Sequence, residues 1–120
     1  MMSREDEAWQ LATFDVALHG TRATIWVAGE LDLATRGELA SALRAAQAAG
    51  ALDLCLDLRA VDFLDAGSIG LLLGARQELE ARGGSLQVRA ASPPVLRVLE
   101  VLDLMALFGP LGDDDGTTPA

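Results

Sequence analysis

Hydrophobic and polar positions alternate most clearly from Leu52 to Leu58, with Leu52, Leu54, Leu56 and Leu58 on one side and Asp53, Cys55 and Asp57 on the other. This period-2 pattern predicts a strand with one packed face and one more open face. A turn is expected over Asp62 to Gly67. Beyond it Ile69, Leu72, Leu73 and Leu79 recur at helical spacing among Arg76, Gln77, Glu78 and Glu80. A strand thus runs into a short acidic loop, and the loop brings Ser68 to the start of a helix.

The rest of the chain arranges itself around that unit. A weaker strand pattern runs from Leu11 to Leu18, and His19-Gly20-Thr21 reads as a turn. Arg22 to Ala28 alternates next, with Ile25 and Val27 opposite Thr24, Trp26 and Ala28, so the two strands should pair as a hairpin. Gly29-Glu30-Leu31-Asp32 is expected to end the second strand. A helix should begin near Ala34 or Thr35, with Leu39, Ala42, Leu43 and Ala46 on its apolar face and Gly50 as its stop. After the central strand and helix, Gly83-Gly84 leads into a strand from Ser85 to Ala90. Ser92-Pro93 opens a further helix, a hydroxyl cap followed by Pro where its missing N–H is harmless. Val95, Val98, Leu99 and Leu102 form the predicted stripe of that helix, and Leu104 to Phe108 a last apolar turn.

The order β-β-α-β-α-β-α predicts an α/β domain: a mixed four-stranded β-sheet with three to four helices packed mainly on one face, because right-handed crossovers adding strands in one direction place their helices together. The domain is expected over residues 11–110, with a flexible N-terminus at 1–10 and a disordered acidic tail at 111–120.

At 120 residues and 51 % hydrophobic content the chain can build one core. The net charge is -9, five of it in the first eight residues and Asp113–Asp115, so the domain itself is mildly acidic. That balance argues against nucleic acid or an anionic membrane surface as partner, since both require clustered positive charge. All nine basic residues are Arg, so lysine chemistry is excluded. A single cysteine, Cys55, cannot form an internal disulfide. The segment MMSREDEAWQ lacks the apolar core of a signal peptide, and no apolar run is long enough to span a bilayer. A cytoplasmic location is expected.

The inventory offers little for catalysis. There is no Ser/His pair with an orienting group, no phosphate-cradling glycine loop and no metal cluster. No enzyme, cofactor or metal is expected. His19 reads as a surface turn residue and Trp26 as either a contact on the open sheet face or packing. Asp57 could suggest the phosphoacceptor of a receiver domain, but that chemistry needs a lysine, and a solvated or hydrogen-bonded carboxylate at a strand end is the plainer reading. Ser68 has two readings, a simple helix cap or a phosphate acceptor. A phosphate would add roughly -1.5 to -2 of charge at a helix N-terminus, beside Asp62 and Asp65.

The runs VDFLDAGSIG (61–70), GGSLQV (83–88) and SPPVLRVLEVLDLMALF (92–108), with Gly29-Glu30-Leu31-Asp32 after the second strand, resemble the STAS domain of bacterial anti-sigma factor antagonists. The resemblance implies the STAS fold and a partner: an anti-sigma factor with a serine-kinase domain of the GHKL type, bound by the unphosphorylated antagonist so that a sigma factor is released. It implies a binding surface of Asp32, Thr35, Asp62, Asp65, Ala66, Gly67, Ser68, Ile69 and Gly70. In the family signature, Asp-Ser-Ser-Gly-Leu-Gly, the second serine is phosphorylated. Here the aligned run is Asp65-Ala66-Gly67-Ser68-Ile69-Gly70, so Gly67 holds the phosphoserine position and Ser68 is the candidate one residue later. Small STAS proteins also serve as accessory subunits of ABC-type lipid-transport ATPases, which is the alternative implied role. A homodimer is compatible with the sequence.

Overall fold

Residues 12–108 are described by a computed structural model; the expected flexible N-terminus and acidic tail lie outside the described residues. Strands β1 (Ala12–His19) and β2 (Arg22–Leu31) form the hairpin, and helix α1 (Arg36–Ala48) follows. Strand β3 (Asp53–Leu64), helix α2 (Ala66–Ala81), strand β4 (Ser85–Ala91) and helix α3 (Pro93–Val101) come next, and a 3-10 turn over Met105–Phe108 ends the described chain. The sheet order is β1-β2-β3-β4, antiparallel in the first pair and parallel in the other two. This is the mixed four-stranded α/β sheet that the alternation predicts.

Side chains that alternate toward the helices fill the core. Ala23, Ile25 and Val27 of β2, Leu54 and Leu56 of β3 and Leu86 and Val88 of β4 are buried. They meet Leu39, Leu43 and Ala46 of α1, Ile69, Leu72, Ala75 and Leu79 of α2, and Val95 and Leu99 of α3. Leu107 in the 3-10 turn closes the same core. The opposite face carries Thr24, Trp26, Cys55 and Gln87, of which Trp26, Cys55 and Gln87 are half-buried.

Four departures from the sequence reading concern the strands and α3. First, β3 runs on through the expected turn to Leu64, because Ala60, Val61, Phe63 and Leu64 pair with Ala28, Gly29, Glu30 and Leu31 of β2. Register shifts interrupt both ladders of β3, between Trp26 and Ala28 and between Gly29 and Glu30 on one side, and at Leu56/Asp57 on the other. Each bulge turns the strand locally, so Asp57 and Leu58 are both buried while Arg59 and Ala60 are both exposed. Simple alternation fails there.

Second, Asp57 is not a strand-end carboxylate. It lies within β3, 3 % exposed, and Arg59 binds both of its oxygens through Nε and Nη2 at 2.7–3.1 Å. An enclosed carboxylate so paired is not an open phosphoacceptor. Third, Ser92 does not cap α3 with its hydroxyl; Ser92 Oγ donates to the Val61 carbonyl at 2.5 Å, tying the helix start to β3. Fourth, Leu102 falls just beyond α3 and is 47 % exposed rather than part of its buried stripe.

One glycine is required by close approach. A Cβ on Gly84 would overlap the Leu52 carbonyl, which accepts from Ser85 N–H at 2.9 Å and cannot retreat without breaking that bond. Gly74, inside α2, faces open space. Gly84→Ala should therefore cost about 1–3 kcal/mol, whereas Gly74→Ala should stabilise by about 0.5–1 kcal/mol through its helix propensity. Urea denaturation of both variants measures the contrast.

Candidate functional site

The junction that the sequence singles out lies at one end of the parallel β2–β3 pair. Leu31 and Leu64 are in register, and Asp65 N–H donates to Leu31 O at 3.0 Å, so the two strand exits are fastened side by side. The loop from β2 into α1 is held from within. Thr35 Oγ1 donates to Glu30 O at 2.8 Å and accepts from Asp32 N–H at 3.1 Å, and Asp32 Oδ1 accepts from Ala34 N–H at 3.0 Å. Thr35 is 1 % exposed, so its hydroxyl shapes the loop and is not itself a contact. The loop it shapes holds Leu33 out at 76 % exposure.

Asp65 joins the two helices. It is the N-cap of α2, with extended backbone, and its Oδ1 accepts from Ser68 N–H at 2.8 Å. Its Oδ2 pairs with Arg36 Nη2 at 2.9 Å, from the first residue of α1 and 29 residues away in the chain. The Ser68 backbone hydrogen bond, aided by the Arg36 guanidinium, holds the Asp65 carboxyl below its ordinary value although partial burial opposes this. The carboxylate also suits the positive end of the helix.

The guanidinium of Arg36 lies across Gly67. A Cβ at position 67 would overlap its Cζ and both terminal nitrogens. Arg36 Nε is buried there and makes no hydrogen bond. Ser68, expected at the helix start, is the third residue of α2 and fully buried, and its Oγ is enclosed beside the Asp65 carboxylate. Asp65, and not Ser68, is the cap.

The predicted residues therefore separate into two groups. Asp62, Ala66 and Gly70 are exposed, and Asp32, Asp65 and Gly67 are half-buried at the same end of the sheet. Thr35, Ser68 and Ile69 are enclosed and hold the junction together from beneath. Leu33, Phe63 at 50 % exposure, and Arg36 belong to this surface but were not singled out by the sequence. An apolar residue between Asp32 and Ala34 was a usable signal; Phe63 needed the bulge, and Arg36 needed its distant partner. Among the described residues no group of His, Cys, Asp and Glu could hold a metal, and no helix is long and apolar enough to cross a membrane.

A family model described as "Mlab, STAS domain" matches residues 14–109. The chain belongs to the STAS domain family. This STAS domain is 31 % identical to an anti-sigma-B factor antagonist of Listeria monocytogenes over 80 residues, 67 % of this chain and 70 % of the relative. Its fold is similar to the crystal structure of an anti-sigma factor antagonist from Mycobacterium paratuberculosis, with a TM-score of 0.73 and 28 % identity over 86 % of this chain and 89 % of that one. It also shares the fold of the antagonist SpoIIAA in its unphosphorylated form, with a TM-score of 0.68 and 24 % identity over 77 % and 82 % of the two chains.

The cap makes stability depend on pH with a definite sign. The folded-state pKa of Asp65 lies below its unfolded value, so its stabilisation is complete above the ordinary carboxylate range and drains away as pH falls through the lowered value. Asp65→Asn keeps an acceptor for Ser68 N–H but loses the charge. Wild type should be the more stable at pH 7, and the gap should close toward pH 3 in urea titrations. A gap independent of pH would remove the Asp65 charge as its source.

Proposed function

We propose that this STAS domain is an anti-sigma factor antagonist that acts by binding and not by catalysis. It docks the anti-sigma factor on the surface formed by the Asp32–Thr35 loop, the end of β3 and the first turn of α2. The observation that carries this reading is the pair Leu33 and Phe63, two large apolar side chains exposed among Glu30, Asp32 and Asp62 on a loop and strand end that are rigidly hydrogen-bonded. Large exposed apolar side chains flanked by acidic ones mark candidate protein-binding positions. The complementary partner offers an apolar pocket and basic residues around it. The named relatives support an anti-sigma factor in that role, and the resemblance to their family supports a serine-kinase domain on it and a cytoplasmic setting.

A second reading, accessory subunit of an ABC-type lipid-transport ATPase, is favoured by one observation: Gly67 and the enclosed Ser68 offer no exposed hydroxyl, and that role needs none. Affinity capture from the source cell separates the two. Tagged wild type should retain an anti-sigma factor, and Leu33→Asp should lose it by about tenfold or more with an unchanged thermal melt, because Leu33 supports no core. Equal retention by both would place the contact elsewhere, and capture of an ABC ATPase would establish the second reading.

A further inference from the structure

Resting on the docking surface proposed above, we propose that Arg36 and Gly67 form a fixed clasp over the start of α2. The clasp keeps the surface in one permanently binding form that a serine kinase does not switch.

Three features of the junction meet in this inference. The guanidinium fills the space that any side chain at position 67 would need, so the glycine is what admits it. Asp65 anchors it at 2.9 Å while capping α2 with its other oxygen. A cation beside the positive end of a helix is unfavourable by itself; the carboxylate between them makes the placement stable. Beneath the clasp the one hydroxyl of the turn, Ser68 Oγ, is enclosed, with Ser68 fully buried between the buried Ile69 and the cap. Phosphoryl transfer would have to form a bond from that oxygen to the γ-phosphorus of ATP as ADP leaves. Neither the kinase nor the phosphate has room for this while the first turn of α2 is in place. Position 67 sits half-buried at the surface but carries no side-chain oxygen. The accessible position has no hydroxyl, and the hydroxyl has no access.

The clasp also predicts a coupling that no isolated surface ion pair would show. A side chain at position 67 must push the flexible end of Arg36 off Asp65, so Arg36 should matter only when position 67 is glycine. In urea denaturation, Arg36→Ala should lower the folding equilibrium constant about two- to five-fold in the wild type and leave it unchanged in a Gly67→Ala background. An equal loss in both backgrounds would overturn the clasp. In parallel, the wild type and Gly67→Ser are incubated with ATP and the serine-kinase anti-sigma factor captured above, and their intact masses are read. The wild type should gain no phosphate and Gly67→Ser should gain one and release the partner; phosphate on wild-type Ser68 would overturn the proposal. If no anti-sigma factor is captured, the docking reading fails, and the stability cycle still decides whether the clasp exists.

Discussion

The carboxylate of Asp65 is the point through which the candidate functional end of this STAS domain is assembled. One oxygen satisfies a backbone N–H at the start of α2 that the helix cannot satisfy for itself, and the other holds Arg36 at the start of α1. Its own backbone N–H is spent on the end of β2. Two helix starts and a strand exit are therefore bound to one residue. Remove the charge and the cap weakens, the guanidinium loses its anchor, and the loop bearing Leu33 is no longer tied to the turn bearing Gly67. The Thr35 hydroxyl does the corresponding work inside that loop, bridging Glu30 and Asp32.

This arrangement explains why the surface combines rigidity with exposed apolar area. Leu33 and Phe63 cost free energy in water, and a flexible loop would fold them inward. Here the hydrogen bonds of Thr35 and Asp32 hold Leu33 outward, and pairing of Phe63 with Glu30, just past the bulge at Gly29/Glu30, keeps the end of β3 in the ladder. The docking proposed for this surface would require little further ordering, which is where preorganised surfaces gain affinity. The parallel pair β2–β3 is the scaffold, anchored in the core by Ile25, Val27, Leu54 and Leu56.

Arg36 and Gly67 occupy one space at the start of α2. A side chain at position 67 and a guanidinium over it compete for the same volume. With glycine the cation occupies it and Asp65 neutralises the helix end; with serine the cation must leave and a hydroxyl stands at the surface. Under the proposed clasp, the choice between a fixed and a modifiable surface would come down to a few atoms at a helix start.

The sequence by itself determined the elements and their order. Local alternation marks β2, β4 and the first half of β3, and apolar spacing marks α1 and α2. These patterns survive because each reports the burial of a single element against a shared core. The junction could also be located, since Asp65, Gly67 and Ser68 lie within four residues where a strand gives way to a helix. What occupies the junction was decided by tertiary structure. The bulges that carry β3 through to Leu64 exist only in its pairing with β2 and β4, and a one-residue slip there changes which side chains face out. The same pairing enclosed Asp57 under Arg59 and exposed Phe63. The cap passed from Ser68 to Asp65, and Arg36 entered the site, because partners 29 residues apart meet only after the sheet has set the spacing of α1 and α2. Periodicity reads burial along one element; contacts between elements depend on register, and register is a property of the folded sheet.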